Sequence, residues 1–345
     1  MTQNWFASSI AEERLVARGG RLQAEFSRFD RGWARARLRG NWIEIDAGDT
    51  HHTRGMPESI AAHLASPNPA APSIALDPES FAGWQFHAIT RHRIAVHRGS
   101  EPEEQLLQLV VATATARDHG HVSIVSTPES LARETRRLAA LLSKPAAGAS
   151  SIEAIPIAFV NGSAAVLMHE ALGHPSEHGA PHVAWPSWLV VADDPGMRSL
   201  GYLPLDDCGR PVAKRELTRG DRPTALRRWS FRDTPIVRMS NLSVSGSGSP
   251  VALPSRRVEV QLVEHGGWDP LTDEVSIRVS LSELVEGRER GLLPRFTLRL
   301  SRRDLAARLA GWFGETVVYP GVICSDEGQS LPVGSVATGL LLQPR

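Results

Sequence analysis

The stretch AVLMHEALGHPSEHGA, residues 165–180, carries a histidine, a glutamate and a second histidine at positions 169, 170 and 174. Zinc peptidase helices commonly read H-E-x-x-H, with the histidines four apart. This one reads H-E-x-x-x-H. In an ideal α-helix residues five apart point roughly 140° away from each other, against about 40° for residues four apart. A regular helix therefore cannot aim His169 and His174 at one ion. Two local devices offer a way out. Gly173 can take a left-handed helix-ending conformation, and Pro175 disfavours α geometry at His174, so that His174 folds back. Alternatively, a π-bulge brings residues i and i+5 into line. Asn161 or Ser163 is the expected cap of this helix.

A carboxylate beside the first histidine, on a largely apolar segment, is costly to bury without a task or a partner. A catalytic zinc takes three protein ligands and one water. Cys324, in the turn-rich GVICSDEGQSLPVG (321–334), is the candidate third ligand, against the plain reading of a small buried hydrophobe. Cys208, in LDDCGRP, is read as structural. A rival pattern overlaps the first: His174, Glu177 and His178 spell the inverted H-x-x-E-H. Otherwise Glu177 supports the ligands from behind and His178 is a surface residue.

The chain has 345 residues, 41% apolar and 22% charged, with acids and bases balanced at 38 each. This is the composition of a globular protein of about two domains. The balanced charge and the lack of a nucleic-acid-binding module argue against direct nucleic-acid binding. No apolar run reaches the ~18 residues of a membrane span, and residues 1–20 lack the apolar core of a signal peptide. Two cysteines exclude a disulfide framework and point to a reducing compartment, the cytoplasm.

The first half mixes helix and strand. IAEERLVARGG (10–20) is expected to be a helix stopped by glycines, and WARARLRGNWIEIDAG (33–48) two strands about a turn. ASPNPAAPSIALDPES (65–80) reads as a loop. HRIAVHR and LLQLVVATATA read as strands. TPESLARETRRLAALL (127–142) is the clearest helix, with Thr127 as cap, Pro128 in the first turn and Leu131, Thr135, Leu138 and Leu142 on one face. SKPAAGASS (143–151) reads as a linker. It divides an α+β N-terminal domain (1–145) from a β-rich C-terminal domain (150–345) that carries the metal-binding helix. In the second half, Val258, Val260 and Leu262, then Val275, Ile277, Val279 and Leu281, then Phe296, Leu298 and Leu300 alternate as strands. SRRDLAARLAGWFG (301–314) is expected to be a helix capped by Ser301 and stopped by Gly314. SVSGSGSPVALPS (243–255) reads as a mobile Gly/Ser loop.

Four segments in order resemble one family, the TldD/PmbA metalloproteases, also described as modulators of DNA gyrase. VLMHEALGHPSE (166–177) is similar to the family's H-E-A-x-G-H-x-x-E helix. DDPGMRSLGYLPLDDCGRP (193–211) is similar to the segment that follows it. PIVRMSN (235–241) resembles P-R-M-[ST]-N, and GVICSDEGQSLPVG resembles G-x-C-G-K-x-G-Q-x-V-P-V. The resemblance implies one zinc per chain held by His169, His174 and Cys324, with Glu170 as general base for a zinc-bound water. It places Glu177, Arg238, Asn241 and Gln329 in supporting or substrate-binding roles. It implies cleavage of small or unfolded peptides in a cleft of a homodimer, or of a heterodimer with a relative lacking the motif. The other implied role is a non-catalytic, zinc-stabilised subunit of such a complex. Ser325 and Asp326 depart from the family's Gly-Lys, and Gly179 from its acidic residue. Residues 1–150 match only in general layout.

Overall fold

The computed structural model describes residues 5–18, 21–38, 41–46, 58–65, 83–96, 101–116, 120–148, 152–203, 205–206, 210–227, 236–326 and 329–344. The loop expected at 65–80 lies almost wholly outside them, as does Cys208. Strands predominate over helices, in two large sheets and a two-stranded ribbon that pairs Leu226–Arg227 with Ile236–Val237, which makes the fold α+β.

The first sheet is antiparallel throughout. Its strands are β1 (Trp5–Arg18), β2 (Arg21–Leu38), β3 (Asn41–Asp46), β4 (Gln85–Val96), β5 (Glu103–Ala116) and β6 (Gly120–Ser126), in the order β3-β2-β1-β4-β5-β6. The helix expected at 10–20 is instead the second half of β1. Ala11, Leu15 and Ala17 fall on one face at a period of two and are buried there. Flanked on both sides by long strands, this segment takes its structure from pairing rather than from local propensity. Helix α1 (Glu58–Ala65) and helix α2 (Pro128–Leu142) accompany this sheet. α2 buries Leu131, Thr135, Leu138 and Leu141. Leu142 is only half-buried, and the Thr127 side chain makes no capping bond.

The second sheet has ten strands and holds the segments read as alternating, Arg256–Asp269, Glu274–Glu286 and Phe296–Ser301. The helix expected over 301–314 covers only Arg302–Arg308. Ser301 caps it, accepting the Asp304 N–H at 3.1 Å. From Leu309 the chain is extended, because Leu309–Asp326 pairs with Gln329–Leu342. Gly314, at φ 69°, sits instead where that pairing bulges between Phe313 and Val317. The first residues of the expected loop 243–255 belong to the strand Asn241–Gly246, which lies between Leu189–Asp193 and Gln329–Leu342. Residues 145–147 are fastened to the second half by a bridge from Ala146 to Leu292. One apolar cluster joins Leu15, Phe86, Val110, Leu131 and Leu138 to Leu262, Leu281 and Leu292, so the first sheet and α2 are packed onto the strands at 256–292.

Candidate metal centre

The H-E-x-x-x-H segment runs through the middle of the larger core. Helix α3 (Ser163–Met168) has all six residues buried, as a helix apolar on every side must be. It packs with Phe159, Val191, Leu242, Val258 and Val260. Neither expected cap acts as one. Gly162, at φ 82°, takes the cap position. Ser163 Oγ donates to the Val260 carbonyl (2.9 Å) and Asn161 Nδ2 to Gln261 Oε1 (2.6 Å), so both tie the helix start to the sheet.

The extra residue is absorbed by a π-turn. His169–Gly173 is π-helical, with the His174 N–H bonded to the His169 carbonyl, and His174–Glu177 continues as helix α4. Widening the turn to an i→i+5 bond sets His169 and His174 on one side. Of the two devices considered, the left-handed stop is not used. Gly173 has φ −60° and His174 stays helical at φ −56°, ψ −46°. Gly173 is needed for a different reason, since a Cβ there would meet Met239 Sδ at 2.1 Å. Pro175 lies in the first turn of α4, where its missing N–H matters least.

The result brings both histidines to Cys324, which arrives on the strand Leu309–Asp326. His169 Nε2 lies 3.1 Å and His174 Nε2 3.3 Å from Cys324 Sγ. The two rings stand edge-on at 89°, with centroids 4.8 Å apart. Tetrahedral zinc with ordinary Zn–N and Zn–S bonds separates such donors by about 3.6 Å. The donor set, two imidazoles and a sulfur, therefore fits an ion of that kind, with only a slight spreading. Burial, reinforced by His174 and Arg238, pushes the His169 pKa well down, which keeps it the neutral imidazole a metal ligand must be. Burial alone would also lower His174, but its hydrogen bonds with Cys324 and Glu177 outweigh this and raise it to about 11, so an ion held here would have to displace a proton from that ring.

Glu170 lies between these donors and the sheet. It is 6% exposed, and burial raises its carboxyl to about 7. Its Oε2 is 3.8 Å from His174 Nε2 and has no hydrogen-bond partner among the described residues, so that oxygen is left to an incoming group. Its stem lies against the backbone of Gly266, in the strand Arg256–Asp269.

Glu177 and Arg238 form the support. Glu177 Oε2 pairs with His174 Nδ1 (2.8 Å), while Glu177 Oε1 accepts the Met239 N–H and Arg238 Nε (3.3 Å). Arg238 Nη2 donates to Cys324 Sγ at 2.8 Å. Both side chains are almost fully buried. Asn241 does not join them. Its Oδ1 accepts the Gly201 N–H (2.8 Å), and its Nδ2 donates to the carbonyls of Asp194 (3.2 Å) and Met197 (2.8 Å), bracing the 194–201 loop. Gln329 pairs with Asp326 through the backbone at the end of the hairpin, and its side chain lies outside the described residues.

Two residues here escaped the sequence reading. Asp326, seen only as a departure from a motif, reaches His178 Nε2 at 2.9 Å and His174 Nδ1 at 3.6 Å. Gly266 was overlooked, although a Gly-Gly pair inside an alternating strand signals close backbone approach.

No family model matches the sequence, and no curated protein matches it. Solved structures do resemble it in fold. TldE from Thermococcus kodakarensis superposes with a TM-score of 0.64 at 11% identity, over 99% of this chain and 95% of that one. A protein from Thermotoga maritima described as a candidate modulator of DNA gyrase gives 0.58 at 14% identity, over 99% and 94%. A similarly described protein from Bacteroides thetaiotaomicron gives 0.55 at 12% identity, over 99% and 93%. The chain therefore has the fold of these proteins along nearly its whole length.

Proposed function

We propose that this protein is a zinc peptidase of the TldD/PmbA type that hydrolyses small or unfolded peptides. The observation that carries the reading is the convergence of His169, His174 and Cys324, from two distant segments, beside a buried carboxyl with an unengaged oxygen. A zinc ion on these three donors would supply the Lewis acid that polarises a scissile carbonyl. Glu170 takes the proton from the attacking water and hands it to the leaving amine. Its carboxyl, held near neutrality by burial, suits both halves of that transfer. Glu177 holds the His174 ring and Arg238 holds both Glu177 and the cysteine sulfur. The inverted-motif reading, with Glu177 as base, fares worse: both of its oxygens are already bonded within the support.

We further propose the division into an N-terminal domain (1–145) and a C-terminal domain (150–345), a cytoplasmic location, and a dimer, homomeric or with a motif-lacking relative. No helix among the described residues is long and apolar enough to cross a membrane. Sedimentation with a dilution series of activity tests the dimer, and a fully active monomer would refute it.

Glu170→Gln is the deciding experiment. It is nearly isosteric and removes no metal donor. Zinc content should stay at the wild-type level while hydrolysis of an unstructured peptide falls by about 10²–10⁴. A zinc-stabilised but non-catalytic subunit predicts no wild-type activity to lose. Retained activity in a zinc-loaded variant would remove Glu170 as the base.

A further inference from the structure

The run His174-Pro-Ser-Glu177-His178 places His174 and Glu177, already engaged at the inner centre, beside His178 and Asp326, which the chemistry above does not use. Positions 174, 177 and 178 share one face of a helix, as residues three and four apart do. Asp326 comes to that face from the end of the strand Leu309–Asp326. His174, Glu177, His178 and Asp326 each offer one donor atom, and all four atoms lie within 4.8 Å of one another. Asp326 Oδ2 sits between two imidazoles, 2.9 Å from His178 Nε2 and 3.6 Å from His174 Nδ1. The side chains of His178 and Asp326 are 36% and 25% exposed, so this face opens to solvent while the Cys324 side is closed. The His178 ring rests against Trp268, with centroids 5.9 Å apart.

We propose that Glu177 Oε2, through the lone pair that its bond with His174 Nδ1 leaves over, together with His178 Nε2 and Asp326 Oδ2 forms a second divalent-cation site, on the rim of the His169–His174–Cys324 centre. Two carboxylates and one imidazole balance the charge of a dication, and this mixed oxygen and nitrogen set suits Zn²⁺ or Mn²⁺. The sulfur-containing inner set selects Zn²⁺ over Mn²⁺ on the same grounds. His174 links the two sites. Its Nε2 faces the inner centre, and its Nδ1 bonds to Glu177, so one ligand of the inner ion orients one ligand of the outer. The exposed outer site exchanges its ion more readily than the buried inner one.

The proposal rests on the inner centre only through His174, and the test separates the two. The full chain is stripped with a chelator and titrated with Zn²⁺ and, separately, Mn²⁺, with bound metal counted by mass spectrometry. Co²⁺ loading adds a sulfur-to-cobalt charge-transfer band that reports the cysteine centre alone. Wild type should bind two equivalents of Zn²⁺ and one of Mn²⁺. His178→Ala and Asp326→Asn should each lose one equivalent of Zn²⁺ and the Mn²⁺, while keeping the cobalt band. Cys324→Ala should lose the band and keep the rim equivalent. Wild type that never exceeds one equivalent, lost with Cys324→Ala and kept in both rim variants, would overturn the proposal. So would a second equivalent that neither rim variant disturbs. A single equivalent lost in the rim variants and kept in Cys324→Ala would sustain the rim site and overturn the inner centre.

Discussion

Gly266→Ala should disable the site without touching any metal donor. A Cβ at this position would stand 2.3 Å from Glu170 Cγ, 2.7 Å from Cδ and 2.8 Å from Oε1. Carbon atoms normally approach no closer than about 3.5 Å, so the Glu170 side chain must retreat by roughly 1 Å. The backbone on either side gives little room. Residue 266 is paired with Ile277 in the sheet, and Ala171 and Leu172 bury the π-turn in the core. The side chain therefore moves, and with it the carboxyl that accepts the proton. A displacement of about 1 Å at a catalytic group costs on the order of 10²-fold in rate, or about 2.7 kcal/mol of transition-state stabilisation. Overpacking should lower global stability by about 1–3 kcal/mol. The assay is kcat and KM on an unstructured peptide, with zinc content and a denaturant midpoint measured on the same preparation. In a Glu170→Gln background the same substitution should cost no further rate, because the group it displaces is already inert. A zinc-loaded Gly266→Ala protein with wild-type kcat would refute the claim that the position of Glu170 matters. Loss of zinc would show instead that the π-turn gives way before the side chain does.

Cys324→Ala should lose the inner zinc while Cys208→Ala keeps it, and the reverse pattern in metal analysis would sink the assignment of the third ligand. Asn241→Ala should lower stability by about 2 kcal/mol or more, since it strands the Gly201 N–H and frees two carbonyls of the 194–201 loop, and zinc content should be unchanged. Asp193 sets a pH dependence. Burial raises its carboxyl to about 6 against the bonds from Ser240 that would lower it, so the folded state binds its proton more tightly than the unfolded state does. Its contribution to stability is present below about pH 4 and is lost as pH rises through 6, amounting to about 3 kcal/mol. Asp193→Asn, compared with wild type by denaturant midpoint from pH 4 to 7, should remove that component, and parallel pH curves for the two proteins would refute it.

The strands of the second half were legible because their apolar residues recur at every second position, Val258 and Val260, then Ile277 and Val279, although the residues between them at 258–263 and 279–285 are buried as well. β1 was not. Ile10, Leu15 and Val16 fit a helix as well as a strand, and only pairing with β2 and β4, partners more than ten residues distant in most of their length, decides between them. The shortened helix at 302–308 failed for the same reason. Leu309 and Trp312 continue a helical stripe in sequence, but Leu342 and Leu340 compete for them as strand partners, and the sheet wins.

At the metal centre the sequence posed the right problem and left two solutions open. Both devices accept a glycine at 173, and Met239, 66 positions away in the chain, accounts for the missing Cβ on the π-turn rather than for the choice between them. A left-handed stop would have turned the chain out of the core after Gly173. The π-turn instead keeps Pro175, Glu177 and His178 on a continuing helix, and that continuation delivers Glu177 to His174, Arg238 and the Met239 N–H. The one-residue expansion of the motif thus has two consequences. It realigns His174 with His169, and it aims the opposite edge of the same imidazole at Glu177 and Asp326. A regular H-E-x-x-H helix could meet the first requirement by itself. The second needs the helix to continue past the second histidine, so that residues three and four further on lie beside it, as Glu177 and His178 do here.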